Sequence, residues 1–251
     1  VKKESCFDKL GILGWQKIEG IILASILTKK SVLLKGAHGC NKTEGCQTIA
    51  EAVFGDSKFV PYDTSLVNAD DLLGYIDHRA MLEGRIEYIE TPDCIWGATS
   101  CLLDEINRCN PYNAAKFFEL VRNRTINGRP TGLEFVWAAC NPPDRYNTTH
   151  MDNAQVSRFV VLDVPSISEL TTKEKKLILE EKYKAPPGTL KEKMKLAQNQ
   201  KNTSQQNTAI INKVLKLSET LNEIEGINFS GRQTKDLYVL FQNMEKIDKV
   251  F

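Results

Sequence analysis

The sequence predicts an α/β fold: a three-layer αβα core built on a parallel β-sheet, followed by a small α-helical domain. Two observations carry this expectation. Up to about residue 165, short apolar runs of β type alternate with stretches of helical periodicity, the pattern of buried parallel strands joined by crossover helices. Beyond that point lysine, glutamate, asparagine and glutamine dominate and strand patterns vanish. The expected boundaries are residues 1–165 for the α/β domain and 166–251 for the helical one.

The elements follow in order. Residues 15–27 (WQKIEGIILASIL) carry apolar side chains at helical spacing, 31–34 (SVLL) form a first short strand, and 43–53 return to helix. Further strand candidates are 58–61 (KFVP), 100–103 (SCLL), 134–139 (EFVWAA) and 159–162 (FVVL). In the second region, residues 169–184 read as a helix stopped by Pro186, Pro187 and Gly188. Residues 191–206 hold so few apolar side chains that a solvated helix or a mobile linker is expected. Residues 210–224 are amphipathic, and Ser230 is a candidate N-cap for a last helix from Gly231.

Composition sets bounds on function. With 41% hydrophobic residues the chain can bury a sizeable core, and a net charge of +1 argues against a strongly basic nucleic-acid surface, leaving only a local patch. No apolar run approaches the roughly 18 residues of a membrane span, and the first residues lack the pattern of a signal peptide. The cysteines form no CxxC pair, and His38, His78 and His150 lie far apart, so a structural zinc site is not expected. Buried reduced thiols in a cytoplasmic protein are the expectation instead.

The stretch KGAHGCNKTEG carries the first chemical signal. Gly36, Ala37, His38, Gly39, Cys40, Asn41, Lys42 and Thr43, with Glu44 after them, follow an apolar strand and open a helix pattern. That is the context of a phosphate-binding loop, where backbone N–H groups and a helix N-terminus surround the anion, a lysine reaches the β/γ-phosphates and a hydroxyl holds Mg²⁺. The strict pattern GxxxxGK[ST] fails only at Asn41, and asparagine tolerates left-handed backbone well enough to let the loop close. Downstream, Asp104 and Glu105 end the apolar run CLLDE. An aspartate there can hold Mg²⁺, and the adjacent glutamate can polarise an attacking water. Asn141, in CNPP, can orient the same water from a strand tip, although an ordinary Asn-Pro turn explains it equally well when taken alone. Arg158, before FVVL, can face a neighbouring chain's γ-phosphate or form a surface ion pair. Arg232, at the start of the last helix, opposes the helix dipole and hints at an anionic partner.

Taken together, the helix and loop WQKIEGIILASILTKKSVLLKGAHG, the turn Asp70-Asp71-Leu72-Leu73-Gly74, and the stretches LLDEINRCNP, ACNPPDRY and MDNAQVSRF resemble the AAA+ ATPases, within them the MoxR-like, dynein-related branch. The resemblance implies a P-loop NTPase core with a helical lid, hydrolysing ATP with Mg²⁺. It implies that Lys42 and Thr43 are the Walker A lysine and hydroxyl, Asp104 and Glu105 the Walker B pair, Asn141 sensor 1, Arg158 the arginine finger and Arg232 the sensor 2 arginine. Arg108 is expected to reach across a subunit boundary. Relatives assemble as rings, commonly hexamers, and remodel or activate client proteins, often ones with a von Willebrand factor A domain. Many continue with more lid helices than the sequence provides before Phe251. Two other classes stay open: a nucleotide-gated binding or scaffold module with little hydrolysis, and an ATPase or GTPase subunit of a nucleic-acid-processing, restriction-type system. Near-neutral charge and the lack of an aromatic-basic stripe count against the second.

Overall fold

The computed structural model describes residues 5–55, 58–142, 151–172, 175, 188–222 and 231–251. The expected helix 169–184 falls largely outside these residues, as does Ser230.

The chain opens with α1 (Cys6–Lys9), capped by the Ser5 hydroxyl, and then α2 (Glu19–Leu27). β1 (Val32–Lys35) leads through the glycine-rich loop into α3 (Lys42–Phe54), and β2 (Lys58–Asp63) follows. An excursion comes next: a 3₁₀ turn (Ala69–Leu73), β3 (Tyr75–Ile76), α4 (His78–Leu82) and β4 (Tyr88–Ile89). β5 (Ala98–Asp104) runs into a 3₁₀ turn (Ile106–Arg108) and α5 (Pro111–Asn123). Asn110 caps α5 by accepting from the Tyr112 N–H, and Pro111 sits where a helix needs no N–H. The hairpin β6 (Thr125–Ile126) and β7 (Arg129–Pro130) precedes β8 (Phe135–Cys140), α6 (Asn153–Val156) and β9 (Val160–Asp163). Three helices complete the described chain: α7 (Lys191–Asn199), α8 (Ser204–Asn222) and α9 (Gly231–Val250).

Five strands form one parallel sheet in the order β2-β5-β8-β1-β9. Alternate residues of the central strands β1, β5 and β8 serve opposite cores. Val32, Leu34, Leu102, Phe135, Trp137 and Leu162 pack with α2, α3, α7 and the end of α9, while Leu33, Cys101, Leu103, Val136 and Ala138 pack with α5 and the excursion. Burial on both faces is why these strands read as unbroken apolar runs. β1 lies between β8 and β9, and the chain crosses β8 and β5 to reach β2. The crevice at such a reversal, beyond the carboxyl ends of the strands, is where open α/β sheets bind ligands. Among the described residues no helix is long and apolar enough to cross a membrane.

Two segments differ from expectation. α2 starts only at Glu19, after a turn over residues 16–18, and the Glu19 carboxylate reaches back to accept from the N–H groups of Cys6 (3.2 Å) and Phe7 (3.1 Å). Residues 191–199 form a helix that is not wholly solvated: Met194 and Ala197, three apart on one face, are buried in the first core.

Trp15, just before α2, is nearly fully buried against the first turn of α3. Its ring comes so close that a Cβ on Gly45 would lie 2.9 Å from it. The ring therefore supports the helix turn that follows Lys42 and Thr43. Trp15→Ala is expected to cost about 3–5 kcal/mol of unfolding free energy, measured by denaturant titration.

Candidate functional site

The parallel register places Lys35 opposite Cys140 on β8 and Asp163 on β9, so three strand ends open on one side. There the Gly36 N–H donates to the Cys140 carbonyl at 3.2 Å. Gly36 has no room for a side chain: a Cβ would meet Cys40 Sγ at 2.9 Å and Val164 at 3.2 Å. Gly39 (φ +75°) and Asn41 (φ 55°, ψ 33°) take left-handed backbone, and the chain then enters α3 at Lys42. Asparagine at the place of the missing glycine thus adopts the conformation that glycine would have supplied, one it tolerates better than other side chains.

Lys42 is buried with its ammonium folded back on the loop. Its Nζ donates to the carbonyls of Gly36 (2.8 Å) and Ala37 (2.9 Å) and to Asn141 Oδ1 (3.2 Å). Thr43 Oγ1 donates to Asp104 Oδ2 at 3.0 Å, joining the helix start to the end of β5. Asp104 is fixed in turn by Thr64, whose N–H (3.0 Å) and hydroxyl (2.9 Å) both donate to its carbonyl.

Glu105 is a non-glycine residue in the left-handed region (φ 52°, ψ 36°). Such backbone stores on the order of 1–3 kcal/mol and persists only where the surroundings hold it. Here they do. Oε1 accepts from Asn141 Nδ2 (3.2 Å), Oε2 from Arg108 (3.0 Å), and His38 Nε2 lies 3.7 Å from Oε1. Asn141 is buried at the tip of β8, and its amide is fully committed: Oδ1 takes the Lys42 ammonium, while Nδ2 gives hydrogens to Glu105 and to His38 Nε2 (3.2 Å). A carboxylate on one side and an ammonium on the other leave one sensible amide orientation. The Asn141 carbonyl accepts from Asn107 Nδ2 at 3.0 Å.

Residues from His38 to Glu44, with Asp104, Glu105 and Asn141, line a cleft of about 280 Å³. One wall offers the Lys42 ammonium and the N-terminus of α3; the other offers Thr43 Oγ1 and two carboxylates. Phosphate oxygens fit the first wall, and a hard divalent cation such as Mg²⁺ fits between hydroxyl and carboxylate on the second. Burial pushes the thiols of Cys46 and Cys140 up, so both stay uncharged beside this polar cluster at neutral pH.

Not every predicted residue is gathered here. Arg158 lines a separate cleft of about 520 Å³ beside α5 and α6, its guanidinium over the Phe118 ring at 5.4 Å. Arg232 lies in the first turn of α9, and its side chain is outside the described residues. Arg108 pairs with Glu105 of its own chain, where the resemblance had implied a reach to a neighbour. Sequence reasoning assigned no role to Thr64 or Asn107, nor to Trp15 beneath α3. Asn107 stood in the quoted LLDEINR stretch, but nothing in a linear sequence says which carbonyl it holds.

The sequence model of the AAA domain, dynein-related subfamily, matches residues 31–159, more than half of the chain. The chain is similar to the chaperone MoxR1 of Mycobacterium tuberculosis, 30% identical over a 154-residue alignment that covers 59% of this chain and 40% of that protein. The chain therefore spans well under half of that relative's length. Among solved structures, a candidate ATPase from Cytophaga hutchinsonii superposes with a TM-score of 0.67 at 20% identity, over 97% of this chain and 82% of that one. A full-length MCM homolog from Methanopyrus kandleri superposes with a TM-score of 0.59 at 12% identity, over 97% and 56% of the two chains. At these identities both matches speak to fold alone.

Asn41→Gly is expected to leave stability within a few tenths of a kcal/mol, because glycine accepts this backbone freely. Asn41→Ala should cost about 1–2 kcal/mol. Thermal unfolding of the two variants beside the wild type checks both.

Proposed function

The chain belongs to the dynein-related subfamily of AAA domains, and from that premise we propose that it is a Mg²⁺-dependent, MoxR-like ATPase that remodels or activates a partner protein. The observation that carries the proposal is the contact chain from Lys42 through Asn141 to Glu105, set beside the Thr43–Asp104 contact. It gathers a phosphate-binding cation, a polar amide, a carboxylate for the attacking water and a metal-binding pair into one cleft.

Each group has a distinct role in this reading. Gly36 to Glu44 cradle the phosphates, with Lys42 turning from the loop carbonyls toward them. Thr43 and Asp104 hold Mg²⁺, which when bound neutralises developing charge on the phosphoryl oxygens. Glu105 accepts the proton of the attacking water, and Asn141 fixes the place of that water relative to the phosphate. Arg158, outside the cleft, serves a neighbouring chain's nucleotide in a ring, commonly a hexamer. Arg232 serves as the sensor 2 arginine of its own chain.

Residues 1–165 form the nucleotide-binding domain and 166–251 the lid. In support, the last strand among the described residues ends at Asp163, and every regular element described after it is a helix. The similarity to a protein named as a chaperone favours a protein client; a client with a von Willebrand factor A domain and a cytoplasmic site of action complete the proposal.

Steady-state ATP hydrolysis with and without Mg²⁺ tests the core of the proposal. Turnover should require Mg²⁺ and fall at least ~100-fold in Glu105→Gln while nucleotide binding persists. Lys42→Ala should lose nucleotide affinity itself. Wild-type protein that shows no turnover at any concentration, with or without its partner, would reject the enzymatic reading.

A further inference from the structure

We propose that Arg108 is a positioning residue for Glu105 of its own chain, a proposal that rests on reading Glu105 as the hydrolytic carboxylate. The backbone creates the pairing. The Arg108 N–H donates to the Glu105 carbonyl at 2.7 Å, closing a 3₁₀ turn directly after the left-handed Glu105. That turn brings the guanidinium beside the carboxylate three residues back. Arg108 Nη1 donates to Glu105 Oε2 at 3.0 Å, while Asn141 Nδ2 holds Oε1 at 3.2 Å.

The two donors approach from different sides. Asn141 is buried and grips the carboxylate from the floor of the cleft; Arg108, a third exposed, grips it from the solvent edge. A carboxylate held at one oxygen can pivot about that contact, whereas one held at both keeps its plane. The same short turn steadies the other end of the relay, since Asn107, adjacent to Arg108, donates to the Asn141 carbonyl at 3.0 Å. Asn107 Oδ1 has no partner among the described residues, and that side chain's hydrogen bond is the one to Asn141. Neighbouring residues of one turn therefore fix both the carboxylate and the amide that faces it.

The role predicts a loss of rate without a loss of substrate binding. Arg108→Ala should lower kcat by about 10- to 100-fold, the effect of a misplaced reacting group, with KM for ATP within about 2-fold. Arg108→Lys, which keeps the charge but offers a single point of contact, should recover part of the loss. Unfolding midpoints near the wild-type value show that the fold is intact. Mixing Arg108→Ala chains with Glu105→Gln chains then decides whose glutamate Arg108 serves. A site that needs both residues from one chain gives a mixture no faster than the average of its components. Recovery above that average places Arg108 on a neighbour's site and overturns the proposal, and so does an unchanged kcat in Arg108→Ala. If Glu105→Gln alone keeps full turnover, the reading of Glu105 falls instead, a result the Arg108 variants cannot produce.

Discussion

The site depends on the buried ammonium of Lys42. A charge removed from water is costly unless hydrogen-bonded, and here the loop itself supplies the acceptors, the carbonyls of Gly36 and Ala37. Those carbonyls can converge on Nζ only if the chain curls tightly around it. That curl requires a residue without a side chain at Gly36, wedged against Cys40 and Val164, and left-handed backbone at Gly39 and Asn41. The third acceptor, Asn141 Oδ1, comes from β8, and the parallel register of β1 with β8 is what delivers it. Sheet topology, loop conformation and charge burial thus constrain one another.

From Lys42 the polar connections continue outward. Asn141 links ammonium to carboxylate, and Glu105 occupies strained backbone that the Asn141 and Arg108 contacts offset. Strain held at one carboxylate by contacts on both oxygens is a form of preorganisation: the group stands ready before substrate arrives and has little freedom to lose. Thr43 and Asp104 add a bonded hydroxyl–carboxylate pair whose members come from the helix after β1 and the tip of β5. Trp15 then acts from behind, keeping the first turn of α3 against the core.

Much of this was legible in the sequence because it is local or periodic. The five sheet strands stand out as apolar runs since both sheet faces are covered, and the loop stands out because small residues, lysine and threonine occur together between strand and helix. The excursion from β3 to β4 was not legible. Its strands are two residues long, too short to show a period, and its apolar side chains, such as Tyr75 and Leu82, point outward. The helix of residues 191–199 looked fully solvated because two buried side chains, Met194 and Ala197, are enough to anchor it. Arg108 was expected to reach across a subunit boundary, and its pairing with Glu105 of its own chain follows the left-handed turn at Glu105. Linear spacing carries no information about that backbone sign, and neither does it reveal that Asn107 holds the strand tip at Asn141.

Everything above turns on whether the cluster of Lys42, Thr43, Asp104, Glu105 and Asn141 is one nucleotide and metal site. A crystal structure of the chain with Mg²⁺ and a non-hydrolysable ATP analogue tests it most directly. The terminal phosphates should lie in the loop between Gly36 and Thr43, with Lys42 Nζ moved from the loop carbonyls onto phosphate oxygen and the metal on Thr43 and the Asp104 side. A nucleotide bound elsewhere, or one bound with Lys42 still on the Gly36 and Ala37 carbonyls and no metal near Thr43, would contradict it.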